Sequence, residues 1–226
     1  MRRTLGWLLV LTLAGCGRLP GKPERPRELK PDEAAARLYA TNCSGCHGRD
    51  GRLGAAPPLN DARFLALIPD MDLRMIIRAG RPGTPMPGFA KNKGGTLTDE
   101  QIELLATQLK KRWGNSRENI DGVPTYLATG KGDAKAGAKV WMAACAGCHG
   151  DQGQGATQGA INDPAFLGLI TDQAIRRLVI TGRPDLGMPG YAGREGRAGD
   201  FKPMTEQAVA DLVAFVAGWR QSVGGK

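Results

Sequence analysis

The sequence predicts an all-α chain built as two tandem copies of one domain. Three observations carry that expectation. Apolar residues recur at helical spacing behind recognisable helix starts, and no run alternates convincingly as a strand would. A shift of 102 residues, from Cys43 to Cys145, lays one half of the 226-residue chain on the other. Each half also carries the same short run, Cys43-Ser44-Gly45-Cys46-His47 and Cys145-Ala146-Gly147-Cys148-His149.

The repeat is ungapped over its informative part. Asn60-Asp61 falls on Asn162-Asp163, Phe64-Leu65 on Phe166-Leu167, and Gly80-Arg81-Pro82 on Gly182-Arg183-Pro184. Met86-Pro87-Gly88-Phe89 lands on Met188-Pro189-Gly190-Tyr191; only beyond there does the second copy gain five residues, aligning Thr98 with Thr205. Self-similarity at one fixed offset is the mark of duplicated structural units.

Each copy reads as the same series of helices. Pro31-Asp32-Glu33 opens an Ala-rich run to Asn42, with Leu38 and Tyr39 on its apolar side; Asp133 to Ala144 repeats it with Val140 and Trp141. Asp70 is expected to cap a helix carrying Leu73, Ile76 and Ile77 that stops at Gly80, and Asp172 to Gly182 repeats the layout. Thr98 and Gln101 form a capping-box pattern ahead of Ile102, Leu105, Ala106 and Leu109, ending near Trp113. Thr205 opens the equivalent helix, with Val209, Leu212, Val213 and Val216 leading to Trp219.

The amino terminus has the three parts of an export signal: Arg2 and Arg3, a short apolar run over residues 5–13, and small residues before a break. The run is too short to span a bilayer as a helix. Leu13-Ala14-Gly15-Cys16 resembles the bacterial lipobox, which makes Cys16 the expected lipidated first residue. The alternative is cleavage elsewhere, with Cys16 left as a spare thiol. Pro20, Pro23, Pro26 and Pro31 then punctuate a charged stretch that suits an extended tether. The expected layout is a signal peptide over residues 1–15, a lipidated tether over 16–30, a first domain over 31–113, a linker over 114–130 and a second domain over 131–226.

The formal charge is +9, or +7 once Arg2 and Arg3 are removed with the signal. Neither a helix-turn-helix nor a finger pattern accompanies it, so the charge reads as a steering or membrane-surface term and not as a nucleic-acid signal. Aromatic residues make up only 5% of the chain, while Gly (33) and Pro (15) are plentiful. Two modules of about 100 residues with so few large side chains lack apolar bulk of their own.

A Cys-x-x-Cys-His run is the attachment signature of c-type haem, the thiols bonding the porphyrin and the imidazole ligating iron. The two runs hold the chain's only histidines and four of its five cysteines. Cys43, Cys46, Cys145 and Cys148 are therefore the expected attachment residues for two covalently bound haems, with His47 and His149 as axial ligands. A haem in each half also supplies the missing apolar bulk.

No histidine is left for the opposite axial position. Of seven methionines, only Met86 and Met188 meet under the repeat, each 39 residues past its histidine and each followed by Pro-Gly-aromatic. Their thioethers are the expected second ligands, which raise the potential relative to a second histidine. Arg81 and Arg183, five residues earlier, have two readings: a charge-assisted contact with a haem propionate, or a solvated loop arginine.

These motifs resemble the class I cytochrome c family in tandem dihaem form, over roughly residues 31–113 and 130–221. The resemblance implies an all-α fold of two cytochrome c-like haem domains, with the first and last helices of each domain crossing near Tyr39 and Trp113, and near Trp141 and Trp219. It also implies a Pro-x-Leu-like element whose proline carbonyl holds the ligand histidine. Pro57-Pro58-Leu59 fits; the second copy departs from it with Gly159-Ala160-Ile161.

Two saturated irons pass single electrons but do not readily bind a substrate. The expected function is electron transfer by a membrane-anchored dihaem cytochrome. It would serve as a carrier, or as a subunit of a respiratory or photosynthetic complex, between redox-protein partners outside the cytoplasm. The alternative is a dihaem oxidoreductase of peroxidase or thiosulfate-oxidising type, which needs one labile sixth ligand. A zinc site fits poorly, because its cysteine pairs usually lie far closer together than these two do.

Overall fold

The computed structural model describes residues 28–192 and 201–220. The expected signal, Cys16 and most of the tether lie outside the described residues. Among the described residues no helix is long and apolar enough to cross a membrane.

Among the described residues each half has five α-helices. In the first half they are α1 (Pro31–Asn42), α2 (Ser44–His47), α3 (Ala62–Leu67), α4 (Asp70–Ala79) and α5 (Asp99–Trp113). In the second half they are α6 (Ala134–Ala144), α7 (Ala146–His149), α8 (Pro164–Leu169), α9 (Asp172–Thr181) and α10 (Glu206–Gly218). Strand-like pairing among the described residues is limited to two isolated bridges, Ala90 with Leu97 and Arg183 with Met188.

Local chemistry sets most boundaries. Thr98 accepts from the Gln101 amide while Gln101 reaches back to the Thr98 amide, so the capping box opens α5 as the pattern predicts. Asp133 caps α6 and Thr205 caps α10 through side-chain oxygens. The caps of α4 and α9 differ from expectation. Pro69 and Thr171 occupy those positions, one residue earlier than Asp70 and Asp172. Thr171 offers a hydroxyl that accepts from Ala174, leaving the aspartates inside the first turn, where negative charge meets the helix dipole. There Asp70 pairs with Lys110 at 2.5 Å and Asp172 pairs with Arg220.

Helix α1 crosses α5, α4 packs on α5, and the second half repeats this with α6 and α9 on α10. Tyr39 meets Trp113 edge-on at 5.1 Å, and Trp141 meets Trp219 edge-on at 5.0 Å, so the first and last helices cross where the aromatic pairs predict. The α6–α10 crossing is the tighter one. A Cβ on Gly137 would lie 2.0 Å from the Asp211 carbonyl oxygen, whereas the first domain carries Ala35 at the matching position. One core gathers Phe64, Leu73, Ile102 and Leu105; the other gathers Leu167, Ile180, Val209 and Leu212.

The linker is pinned to both halves. Tyr126 is buried in the first core beside Phe64, and its hydroxyl accepts from Arg81 at 2.8 Å. From the second half, Gln173 and Arg176 donate to the Tyr126 carbonyl, and Arg176 also bonds the Thr125 carbonyl and pairs with Glu206 at 2.6 Å. Helix α3 then packs directly on α9, joining the domains.

Candidate functional site

Each Cys-x-x-Cys-His run sits on one tight helical turn. Cys43 ends α1, its amide donating to the Tyr39 carbonyl, and the His47 amide donates back to the Cys43 carbonyl at 3.0 Å. Gly48, at φ +83, ends the turn. The second run repeats these bonds from Cys145 to Trp141 and from His149 to Cys145. Both thiols and the imidazole of each run therefore issue from a single turn, as covalent attachment beside an axial ligand requires.

The aromatic residue of the preceding helix holds each turn from below. Tyr39 Oη donates to the Gly48 carbonyl at 2.7 Å, and Trp141 Nε1 donates to the Gly150 carbonyl at 3.1 Å. Sequence reading placed both residues at a helix crossing but did not assign them this bond. The signal lay in their fixed nine-residue spacing to the glycine after the histidine. Burial, reinforced by Cys43 and Asp50, pushes Tyr39 up to about 12. Burial next to Cys46 pushes the Cys43 thiol up to about 11.

The loop after each motif also repeats. The Leu59 and Asn60 amides both donate to the Gly51 carbonyl, and the Ile161 and Asn162 amides to the Gly153 carbonyl. The histidines differ in spite of that shared frame. His47 Nδ1 bonds the Pro57 carbonyl at 2.9 Å. Because a carbonyl only accepts, Nδ1 carries the proton and Nε2 keeps its lone pair for a metal. His149 Nδ1 is buried and, among the described residues, makes no full hydrogen bond. The Gly159 carbonyl acts on it from outside bonding geometry and raises its proton affinity only against a larger loss from burial. His47 is likewise lowered by burial, with the charges of Arg177 and Arg81 adding to that effect.

The methionines lie in loops that follow α4 and α9. The Arg81 amide donates to the Met86 carbonyl at 3.0 Å and the Arg183 amide to the Met188 carbonyl at 2.8 Å. Glycine makes these loops possible. Gly80 and Gly182 stand at φ +70 and +73, and a Cβ on either would come within 2.5 Å of the methionine carbonyl oxygen. Downstream, Phe89 and Tyr191 donate their amides to the Ile77 and Val179 carbonyls, fastening the loops to the helices before them. Both methionines are half-buried. Arg81, in the first loop, is near enough to His47 to act on its proton affinity.

The two arginines have separate commitments. Arg81 donates to the Tyr126 hydroxyl and forms no ion pair among the described residues, whereas Arg183 forks onto Asp185 with both bonds at 2.9 Å.

This donor set fits a haem in each half: two thiols and a neutral imidazole on one turn, and a thioether on a separate, rigidly held loop. Among the described residues no three His, Cys, Asp or Glu side chains converge as a multidentate metal site would need.

Comparison with known proteins gives the family of each half. The family "Cytochrome C oxidase, cbb3-type, subunit III" matches residues 30–107, and the family "Cytochrome c" matches residues 134–219. The chain is a tandem two-domain c-type cytochrome, all-α, with its two cytochrome-type domains joined by a linker. It is related to cbb3-type oxidase subunits. It is 30% identical over 193 residues to the "Cbb3-type cytochrome c oxidase subunit FixP" of Bradyrhizobium sp. (strain ORS 278), covering 80% of this chain and 59% of that protein. A FixP of Bradyrhizobium diazoefficiens is 30% identical over 191 residues, with the same coverage. The "Cbb3-type cytochrome c oxidase subunit CcoP" of Rubrivivax gelatinosus is 31% identical over 163 residues, covering 70% of this chain and 47% of that protein. The chain thus spans about three fifths of the length of the FixP relatives it matches.

Proposed function

We propose that this chain transfers electrons through two His/Met-ligated haems, as a carrier or as the cytochrome subunit of a respiratory complex. The observation that supports this is the repeated construction of both halves, a Cys-x-x-Cys-His turn ending at His47 and His149 followed by a loop carrying Met86 and Met188, each methionine carbonyl bonded to the arginine amide five residues before it. The haem supplies a one-electron couple. The protein's part is to leave each imidazole neutral, with the His47 proton held on Nδ1, and to hold a thioether in place. Cys43, Cys46, Cys145 and Cys148 attach the two groups covalently. Of the two arginines proposed to face propionates, Arg81 is the better placed, because Asp185 already neutralises Arg183.

The relatives' names describe subunits of an oxidase, which favours a partner within a membrane complex over a free substrate. Export and anchoring through a lipidated Cys16 complete the proposal, placing the domains on the periplasmic or outer side of a bacterial membrane. A dihaem enzyme would need one iron open at its sixth position.

The test is spectroscopic. The ferric band of iron–methionine ligation should fall by about half in Met86→Ala and about half in Met188→Ala, as expected for two equal contributors. If neither variant alters it, the ligand assignment is wrong. Rapid binding of CO or cyanide to the unmodified protein would shift the reading to an enzyme. Haem lost in acid-acetone extraction would refute covalent attachment. Cys16→Ser should move the protein from the membrane to the soluble fraction, and unchanged attachment would remove the lipid anchor.

A further inference from the structure

Arg177 stands on α9 at the position that Met75 holds on α4. Met75 is 50% exposed, but Arg177 is only 6% exposed, enclosed by the first domain. A buried guanidinium is strongly unfavourable unless it is paired and hydrogen-bonded. Three groups of the first domain answer it. Its Nη2 donates to the Pro58 carbonyl, Asp61 Oδ2 lies 3.7 Å away, and the Phe64 ring faces its guanidinium carbon at 3.5 Å. Asp61 is itself buried, and its other oxygen caps α3 by accepting from the Phe64 amide at 3.0 Å. Burial lowers Arg177 to about 10, with Asp61 opposing that change, so the side chain stays cationic at neutral pH.

Pro58 directly follows Pro57, whose carbonyl holds His47 Nδ1. Two consecutive prolines have fixed φ, so a restraint on one carbonyl limits the other. Arg177 also acts on His47 through space. Among the described residues the second site lacks this arrangement: its loop reads Gly159-Ala160, and the α4 residue equivalent to Arg177 is the half-exposed Met75.

We propose that Arg177, contributed by the second domain, is a positioning residue for the first haem site, where its buried cation steadies the Pro57–Pro58 backbone against His47 and favours the reduced state of the first iron. Ferric haem carries one more positive charge than ferrous haem, so a fixed cation nearby disfavours oxidation. Burial keeps that influence from being screened by salt. The domain interface thereby separates the two potentials and points electrons toward the first site. The inference rests on the proposed haem at Cys43, Cys46, His47 and Met86.

The experiment is a potentiometric titration of the full dihaem protein. The wave of the first haem is assigned through the NMR signals of its iron-bound methionine, identified by their loss in Met86→Ala. A wild type without such signals would overturn the haem reading, and the inference with it. In Arg177→Met, the residue found at the equivalent place in the first domain, the assigned wave should shift toward oxidation by at least tenfold in equilibrium constant, about 59 mV for one electron. The other wave should move less than twofold. Arg177→Lys should recover most of the shift.

Asp61→Asn keeps the α3 cap, because asparagine also accepts there, but leaves Arg177 without its counter-charge. The assigned wave should then move in the opposite direction. This variant carries the test alone if Arg177→Met does not fold. Equal movement of both waves, no movement, or the same direction in both variants overturns the proposal.

Discussion

The two domains share a frame yet hold their histidines differently. His47 is anchored by the Pro57 carbonyl at 2.9 Å and backed by a buried cation from the other domain, while His149 Nδ1 feels the Gly159 carbonyl but makes no full hydrogen bond among the described residues. The loops around them share the bonds to the Gly51 and Gly153 carbonyls at the same offset, but the second loop adds bonds from the Gly155 amide to the His149 carbonyl and from the Ala156 amide to the Gln158 carbonyl, so the difference between the histidines is local. It comes from the replacement of Pro57-Pro58 by Gly159-Ala160 and from which domain has a neighbour against that loop. Duplication preserved the attachment chemistry and left the surroundings of each ligand free to diverge.

The largest expected effect tests the aromatic support beneath each turn. Trp141 is 2% exposed, meets Trp219 edge-on and bonds Gly150, so Trp141→Ala should destabilise the second domain by about 3–5 kcal/mol in urea unfolding. Tyr39→Phe removes only a hydroxyl bond from the first domain, and the Gly48 carbonyl still accepts from the Gly51 amide, so the loss should be about 0.5–1.5 kcal/mol. Equal losses would mean that the two supports are not distinguished by packing.

The helix crossings come next. Gly137→Ala should destabilise by about 1–3 kcal/mol, because the new methyl meets the Asp211 backbone and not a movable side chain. Ala35→Gly in the first domain should cost only about 0.5–1 kcal/mol, through backbone entropy. A neutral Gly137→Ala in thermal melts would show that α10 can retreat.

Alkaline pH should separate the domains less strongly. Tyr39 is held at about 12 by burial when folded, against the usual 10. Between those values the unfolded chain has released a proton that the folded chain retains, so the stability of the first domain falls as pH rises from about 10 to 12. The second domain has Trp141 at this place and lacks that loss. The check is urea unfolding at pH 9 and pH 11, followed by domain-specific haem signals; equal slopes in the two domains would contradict it.

The smallest effect sharpens the histidine comparison directly. A Cβ at Gly159 meets nothing within 4 Å, so Gly159→Pro should be accepted, with a gain of about 0.4–1 kcal/mol from reduced unfolded-state freedom. If it brings the carbonyl onto His149, a ring N–H resonance should appear and the gap between the two potentials should narrow.

Much of this was legible in the sequence because it is local or repeated. The capping box at Thr98 and the stops at Gly80 and Gly182 are short-range chemistry, and the 102-residue offset singled out Met86 and Met188. The short helices α3 and α8 were not read. Six residues show no helical period, although Asp61 and Asp163 each cap the amide three residues on. Asp70 was expected one position too early in its helix, because an aspartate serves a first turn as well as a cap. Arg177 was out of reach altogether. In sequence it is merely the residue that replaces Met75, and nothing local says that a neighbouring domain will enclose it.

That enclosure has a consequence for behaviour in solution. A guanidinium sealed between Asp61, Phe64 and Pro58 is beyond the reach of dissolved ions, whereas the chain's remaining positive surface is open to them. Raising ionic strength should therefore loosen encounters with an external redox protein while leaving the angle between the two domains unchanged. The molecule would meet its partners on salt-sensitive terms and keep its own two halves in register on salt-insensitive ones.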